Sequence, residues 1–396
     1  MGSTLILKRQ LLTMLGGAPP PHSLGGSEWA ILDMMAAQHR LQPLLAWRLE
    51  RADGTWRIPA QVAEAWRQAR QTSRLLDLAL LAGLRFSCTA LEEAGIAFVA
   101  LKGPRLAWRC YPEAGLRPMR DLDLLVASHQ VVEAARLLSH AGFVTDANEV
   151  VTAHALEADK ALPEMRHSEL GVMVELHHRL SDPPGSHGYH VPQLDPAKVL
   201  HWRQVVALSG LAVPCPTPTD LLAHLMVHAL YGHRLDCGPL VLADIHFLLR
   251  SEAVDAVLFE RMADEGGWLR GASLLLALTE RYFGPQPLTL GETPPEAVLS
   301  AAEEMLLQDL DKRDHTTALA DLFAARSPAA MAASLKRRLL PDAHVLQEEG
   351  QGQPLWRFWP GWAARRGVRL ARRLLDRRAG RDAGHTVALL RWLQQG

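Results

Sequence analysis

The sequence predicts an α+β fold in which a small mixed β-sheet lies between helical regions at both ends of the chain. Two observations lead to this prediction. Apolar residues recur at helical spacing over residues 28–94 and again from Pro218 onward. Between these stretches, residues 96–180 follow the order strand, helix, strand, helix, hairpin, which is typical of a small α/β or α+β unit.

Length and composition are those of an ordinary soluble globular protein. The chain has 396 residues, 48% of them apolar and 21% charged, and its formal net charge is −1. A charge near zero gives the whole chain no preference for nucleic acid or membrane. Four separated cysteines without a CxxC pair argue against a zinc ribbon and fit a reducing compartment. We find no signal peptide and no apolar run long enough to span a bilayer, so we expect a cytoplasmic protein.

The N-terminal region, residues 1–95, is predicted to be mostly helical. Residues 28–51 have apolar side chains at helical spacing and are divided by Pro43, which predicts two helices. Residues 60–94 are rich in Ala and Leu interleaved with Arg and Glu, which predicts one or two long helices ending near Gly95. The Trp and Met side chains of these helices are interpreted as core.

The central region, residues 96–200, changes to patterns typical of strands and turns. Its predicted elements are, in order, a strand at 96–101, one or two helical turns at 104–110, a loop at 111–120, a strand at 121–126, a helix at 129–142 and a hairpin of 163–169 and 171–178 around Gly171.

The C-terminal part is predicted to consist of a helical domain, residues 201–340, and a basic amphipathic tail, residues 341–396. A loop at 181–196 precedes the helical domain. Helical patterns cover residues 218–232, 239–250, 253–283 and 298–325.

Two aspartates one residue apart interrupt the otherwise apolar strand at 121–126. Asp121 and Asp123 point to the same face because side chains alternate along a strand. Two carboxylates on one face repel each other, and a bound cation makes the pair tolerable. Glu175 and His177 share a face of the second hairpin arm. If that arm lies beside the aspartate strand, Glu175 completes a three-carboxylate cluster that suits two Mg²⁺ ions.

Groups suited to phosphate lie next to this cluster. Lys102 and Gly103 follow a strand, and a glycine there lets the backbone approach a phosphate. Arg117 and Arg120 immediately precede the aspartates and offer guanidinium groups to phosphate oxygens. A lone Asp-x-Asp is common and can simply end a strand and cap a turn. The ordered set of strand, Lys-Gly, Arg-rich loop, Asp-x-Asp, helix and Glu-bearing strand favours a metal site.

The segment ALKGPRLAWRCYPEAGLRPMRDLDLLV, residues 100–126, resembles the signature of a bacterial family of uncharacterised nucleotidyltransferases within the DNA polymerase β superfamily. The matching features are the Lys-Gly turn, Tyr111, the strand motif from Gly115 to Val126, and Glu-Leu-His at residues 175–177. The later sequence HLMVHALYGH…LADIHFLL also resembles the family, so the resemblance covers roughly residues 28–250.

The resemblance implies a polymerase β-like core and Mg²⁺-dependent transfer of a nucleoside monophosphate from a nucleoside triphosphate. The acceptor would be a hydroxyl or phosphate of a small molecule, peptide or protein, and pyrophosphate would be released. By the resemblance Asp121 and Asp123 bind both ions, and Glu175 binds the catalytic ion and helps to activate the acceptor. The residues expected to contact the nucleotide are Lys102, Gly103, Arg117, Arg120 and His177.

One departure from the superfamily concerns the turn after the first strand. The superfamily has a glycine-serine pair there, and its serine touches the phosphates, whereas Pro104 follows Gly103 in this chain. The serine contact is therefore missing, and Lys102, Arg117 or Arg120 is expected to replace it.

Two other functions remain open from the sequence. One is a toxin-like nucleotidyltransferase that modifies tRNA. The other is a catalytically inactive scaffold that binds a partner or membrane through its basic tail. Residues 356–381 contain nine arginines and three tryptophans against one aspartate. This segment fits an amphipathic helix at an anionic membrane, a contact for RNA, or a helix packed on the helical domain with a solvated face. The first alternative would place the protein peripherally at the membrane.

Three histidines draw attention as candidate zinc ligands. His224 and His228 are four residues apart on one helical face, and His233 follows. The segment lacks the glutamate of an HExxH motif, because residue 225 is Leu. We therefore interpret these histidines as packing residues or as supports behind the active site, together with Asp244 and His246.

Overall fold

The computed structural model describes residues 2–20, 24–145, 156, 159–184, 190–308, 359–364, 368, 384 and 387–394. These residues form a five-stranded mixed sheet, a two-stranded sheet and surrounding helices, which confirms the predicted α+β class. No helix among them is long and apolar enough to cross a bilayer. The predicted loop at 341–354 and most of the predicted tail segment at 356–381 lie outside the described residues.

The N-terminal region is helical, as predicted. Pro43 lies in the first turn of its third helix, where a missing N–H costs nothing, and the proline thereby separates two helices. The stretch 60–94 is a single helix. The first helix was not predicted from the sequence. The four helices are α1 (Gly2–Gly16), α2 (Gly26–Gln38), α3 (Gln42–Glu50) and α4 (Ala60–Glu93).

The five-stranded sheet has the order β1-β2-β5-β4-β3, and its central strands β2 and β5 are parallel. The other pairs are antiparallel, and β4 and β5 form the predicted hairpin around Gly171, whose φ is +66°. A short helix and one π-helical turn follow β1. The elements are β1 (Phe98–Ala100), α5 (Gly103–Arg105), the π-turn (Leu106–Cys110), β2 (Asp121–Val126), α6 (Val131–His140), β3 (Phe143–Val144), β4 (Met165–His167) and β5 (Met173–His177).

The C-terminal part begins with a helix and a hairpin, α7 (Pro196–His201), β6 (Gln204–Leu208) and β7 (Leu211–Cys215). The sequence analysis did not predict this hairpin. Its two-residue turn, Ser209–Gly210, has positive φ at both positions, as a type I′ turn requires.

Five α-helices lie between residues 218 and 306 in the part of the chain that the structure describes. The predicted stretch 253–283 is two helices rather than one, because the chain turns at Gly266–Gly267. Residues 309–325 of the last predicted helix lie outside the described residues. The helices are α8 (Pro218–Val227), which continues into a π-turn (His228–Gly232), α9 (Leu240–Ser251), α10 (Ala256–Glu265), α11 (Leu269–Phe283) and α12 (Glu296–Leu306).

The described residues bury two main apolar cores, and α4 contributes to both. Val62 and Trp66, in its first half, pack in a core that α1–α3 share with α8–α12. Leu80 and Leu84, in its second half, pack against the five-stranded sheet. The N-terminal and C-terminal helices therefore share one core, and the sheet has another. The division of the chain into four regions stays a prediction.

Candidate active site

The predicted carboxylates lie on two neighbouring parallel strands. Asp123 of β2 pairs with Glu175 of β5 in register, which confirms that the two strands are adjacent. Residues in register on parallel strands point to the same face of the sheet. Leu122 and Leu124 are fully buried on the opposite face of β2. The alternation predicted from the sequence thus holds, and the carboxylates face away from the sheet's core.

His177 lies between these two carboxylates. Its Nε2 atom is 3.1 Å from Asp123 Oδ1 and 3.1 Å from Glu175 Oε2, and its side chain is almost fully buried. Burial lowers the pKa of His177, whereas the hydrogen bonds and charges of Asp123 and Glu175 raise it, and the net shift is upward. The imidazole thus bridges two carboxylates whose side chains would otherwise repel each other.

The donor set of this cluster fits a divalent cation. One ligand atom from each of Asp123, Glu175 and His177 lies within 4.8 Å of the other two. Two oxygen ligands of a magnesium ion are at most about 4.2 Å apart, so small side-chain rotations would bring these atoms into range. Carboxylates suit magnesium, while an imidazole also suits manganese, iron and zinc. Asp121 is not part of this three-residue group, and its predicted role as a ligand stays a prediction.

Lys102 provides a positive charge in direct contact with the cluster. Its Nζ atom is 3.2 Å from Asp123 Oδ2, and its side chain is only 12% exposed. Burial alone would raise the pKa of Asp123, but the charge of Lys102 and the hydrogen bond from His177 hold that pKa well below its ordinary value. Burial and the charge of Asp123 raise the pKa of Asp121. The two aspartates therefore differ, and Asp123 is the one held as an anion.

The three histidines of the C-terminal helices pack behind Lys102. His228 Nε2 is 3.3 Å from Lys102 Nζ, and the rings of His224 and His233 lie 5.8 and 4.3 Å from that of His228, centre to centre. Burial lowers the pKa of both His224 and His228 well below the ordinary value. Within the described part of the chain these histidines do not form a metal-binding group. His228 and His233 also line the cavity described below, whereas His224 does not, so only His224 fits the interpretation of a residue packed behind the site.

Arg117 is held by a buried carboxylate of α9. Its Nε and Nη2 atoms donate to Asp244 Oδ1 and Oδ2 at 2.8 and 2.9 Å, and the hydroxyl of Tyr111 donates to Asp244 Oδ1 at 2.8 Å. Burial lowers the pKa of Arg117, but the charge of Asp244 outweighs burial and raises it. The remaining nitrogen, Nη1, lies 3.6 Å from the position that a Cβ atom on Gly103 would take. Asp244 thereby directs one side of the guanidinium towards the Lys-Gly turn.

The sequence analysis grouped Asp244 and His246 behind the site without identifying their contacts. Asp244 lines the cavity described below, whereas His246 lies against Gln286 and Phe283. Nothing local in the sequence indicates that Asp244 pairs with an arginine 127 residues earlier.

The carboxylate cluster, Lys102 and Arg117 line one cavity of about 410 Å³. The cavity lies where the sheet meets helices from both ends of the chain. Arg40, Asp236 and Cys237 also line it, and sequence reasoning missed all three. The residues predicted for the site that line the cavity are Lys102, Gly103, Arg117, Arg120, Asp121, Asp123, Glu175 and His177. Their catalytic and nucleotide-binding roles stay predictions.

Comparison with known protein families gives a match over the part of the chain that carries the site. A family model described as "Uncharacterised nucleotidyltransferase" matches residues 25–284, which is more than half of the chain and includes every residue that lines the cavity. No curated protein matches the chain.

Proposed function

Because the chain belongs to the family of uncharacterised nucleotidyltransferases, we propose that it transfers a nucleoside monophosphate from a nucleoside triphosphate to an acceptor. The acceptor is a hydroxyl or phosphate of a small molecule, peptide or protein, and pyrophosphate is released. One observation carries this proposal within the described residues: Asp123 and Glu175 are paired in register and face the same cavity as Lys102 and Arg117. Carboxylates beside phosphate-binding cations are what nucleotidyl transfer requires.

In the proposed reaction an acceptor oxygen attacks the α-phosphorus, the bond to the bridging oxygen breaks, and pyrophosphate leaves with that oxygen. Two bound Mg²⁺ ions would stabilise the charge on the transferred phosphate and lower the pKa of the acceptor hydroxyl. Asp121, Asp123 and Glu175 would hold these ions. Glu175 is the most exposed member of the three-residue cluster, at 29% of its side chain. In this proposal it binds the catalytic ion and helps to activate the acceptor hydroxyl by accepting its proton.

The neighbouring residues orient the ligands and the nucleotide. His177 holds Asp123 and Glu175 at a fixed separation through its two 3.1 Å contacts. Gly103 keeps the turn open, because a Cβ atom there would lie 2.8 Å from Met119 Sδ. Lys102 and the arginines of the loop before β2 bind phosphate oxygens and replace the superfamily's serine contact.

The experiment that tests this function compares two glutamate-to-glutamine variants of the β4–β5 hairpin. Glu175→Gln keeps the shape and an acceptor oxygen for His177 but removes the charge. Glu169→Gln makes the same chemical change in the exposed turn of the hairpin, away from the cavity. We expect Glu175→Gln to lose about 4 kcal/mol of transition-state stabilisation, or about 1,000-fold in rate, because a metal-binding charge is lost. Glu169→Gln should match the wild type.

The assay supplies α-labelled triphosphates and Mg²⁺ with pools of small hydroxyl compounds, peptides, proteins and tRNA, and measures labelled product and pyrophosphate. Melting temperatures of both variants establish that they are folded. Equal transfer by Glu175→Gln and the wild type contradicts the assignment. Label on tRNA alone would identify the tRNA-modifying alternative. Calorimetry that detects no triphosphate binding by the wild type, with or without Mg²⁺, would favour the inactive scaffold.

A further inference from the structure

Three arginines line one side of the cavity and come from two distant parts of the chain. Arg117 and Arg120 belong to the loop before β2, and Arg40 belongs to the corner between α2 and α3. Arg117 is paired with Asp244. The guanidinium of Arg40, in contrast, makes no hydrogen bond or ion pair with any residue that the structure describes.

The backbone at Arg40 has a conformation that usually requires glycine. Arg40 has φ = +57°, and its N–H donates to the carbonyl of Ala37, while the N–H of Leu41 donates to the carbonyl of Ala36. These two bonds form a Schellman motif at the end of α2, with Arg40 in the left-handed position that glycine commonly takes. A residue with a Cβ atom is disfavoured there by about 1 kcal/mol or more. An arginine at this position therefore has a local conformational cost.

The surroundings of Arg40 also disfavour its charge. Burial, followed by the charges of Arg120 and Arg117, lowers the pKa of Arg40 to about 10, and the charge of Asp121 offsets only part of this effect. The side chain is still protonated at neutral pH. Three guanidinium groups thus face one cavity, and one carboxylate, Asp244, is paired with one of them. An anion entering the cavity would relieve this repulsion.

The corner that carries Arg40 is fixed rather than free. His39 is buried, and its Nε2 atom lies 3.1 Å from the carbonyl oxygen of Gln308. Leu41 is fully buried in the core that the N-terminal and C-terminal helices share. Arg40 is therefore held between two anchored neighbours, and its position in the cavity wall is set by the fold. Guanidinium groups bind phosphate oxygens through paired N–H donors, which matches this arrangement.

We propose that Arg40, together with Arg117 and Arg120, binds a phosphate group in the cavity, and that Arg40 is a phosphate-binding residue supplied by the N-terminal helices. The proposal rests on the proposed function for the identity of its ligand. That ligand is either the β,γ-phosphates of the donor triphosphate or a phosphate carried by the acceptor. Both sources offer the same chemistry to the three arginines.

The test measures binding of inorganic tripolyphosphate to the full chain by calorimetry in the presence of a chelator, so that no metal takes part. Arg40→Gln should bind about 10- to 100-fold more weakly than the wild type, as expected for the loss of one charge-assisted contact. Arg40→Lys should lie between the two, because it keeps the charge without the paired donors. Arg136→Gln removes an exposed arginine of α6 outside the cavity and should leave the affinity unchanged.

Competition with a nucleoside triphosphate identifies the source of the phosphate. Displacement of tripolyphosphate by the triphosphate assigns the arginines to the donor, whereas simultaneous binding assigns them to the acceptor. Absence of tripolyphosphate binding by the wild type, or equal affinity of Arg40→Gln and the wild type, overturns the proposal. Binding that depends on Arg40 without any nucleotidyl transfer would instead remove only the proposed function.

A second variant separates binding from folding. Arg40→Gly relieves the left-handed backbone and the repulsion among arginines, so its melting temperature without ligand should equal or exceed that of the wild type. Its affinity for tripolyphosphate should nevertheless fall at least as far as that of Arg40→Gln. A lower melting temperature together with weaker binding would show that Arg40 acts through the fold, and would overturn the proposal.

Discussion

Replacing Asp244 by asparagine tests whether the carboxylate of α9 holds Arg117 in the cavity wall. The side chain of Asp244 is 5% exposed and that of Arg117 is 15% exposed, so the pair is largely removed from water. Hydrogen bonds of 2.8 and 2.9 Å join the two side chains. Asparagine has the same shape and keeps one acceptor oxygen, but it removes the negative charge and presents an NH₂ group to one of the guanidinium nitrogens.

The expected cost follows from this geometry. Removing one partner of a buried ion pair costs about 3–5 kcal/mol, because the other charge stays buried without compensation. Arg117 also faces the cavity, where water can reach it, so we expect the lower end of that range, about 3 kcal/mol in the free energy of unfolding. Tripolyphosphate affinity should fall as well, because the guanidinium is no longer directed towards Gly103.

Urea unfolding at pH 7, followed by tryptophan fluorescence, measures this cost in Asp244→Asn, Arg117→Gln and the double variant. The double variant should lose about 2 kcal/mol less than the sum of the single losses, because Arg117→Gln removes the charge that would be left unpaired. Glu133→Gln breaks the exposed pair with Arg136 and should have no measurable effect. A loss below about 1 kcal/mol in Asp244→Asn, or additive losses, would refute the reasoning.

Two further predictions concern the segments on either side of Arg117. Asp77 accepts a 2.7 Å hydrogen bond from the Gly115 N–H, and burial raises its pKa from 3.8 to about 6. The stability that Asp77 contributes is therefore greatest below pH 3.8 and is lost as pH rises through 6. Relative to the wild type, Asp77→Asn should increase the free energy of unfolding by about 1–2 kcal/mol at pH 8 and leave it unchanged at pH 4. Urea titrations at the two pH values measure this difference. Gly103→Ala should fold normally, because the Met119 side chain can move away from the added methyl group. Calorimetry should show that it binds tripolyphosphate at least several-fold more weakly than the wild type. Unchanged binding would contradict the role of an open turn at Gly103.

Most of the fold was predictable because its elements have local signals. Pro43 divides two helices, and the alternation of aspartate and leucine marks the start of the strand at 121–126. The β6–β7 hairpin had a usable signal in Ser209–Gly210 between two β-prone runs, which the sequence analysis did not use. The Gly266–Gly267 break was likewise visible as a glycine pair. The first helix, α1, gains its stability from packing against α11 and α12, which no local pattern reports.

The site was predictable only where its geometry is local. Side-chain alternation puts Asp121 and Asp123 on one face. The sequence offered the Glu175 strand only as a possible neighbour, and the structure shows that it is adjacent and parallel. The residues that contact the cations of the site could not be predicted in this way. Lys102 meets His228 across 126 residues of chain, and such contacts depend on how helices pack. Sequence spacing carries no information about them.

In the cavity the carboxylates lie on β-strands, whereas the arginines lie on a loop and a helix corner, and this difference has a physical reason. Asp123 and Glu175 would repel each other, so they need a backbone that cannot yield, and paired parallel strands provide one. The arginines reach the cavity from a loop and from a helix corner. Arg117 is held by Asp244 of the C-terminal helices, and Arg40 belongs to the N-terminal helices.

A single apolar core joins those two helical regions, so Arg40 and Asp244 are fixed relative to each other independently of the sheet. The loop that carries Arg117 buries Leu116 in that same core, whereas Leu122 of the aspartate strand is buried in the core of the sheet. The side of the cavity that carries Arg117 and the side that carries the carboxylates therefore belong to different cores, and the two sides meet between Leu116 and Leu122. A substitution that loosens the helical core should weaken phosphate binding while leaving the carboxylate cluster in place.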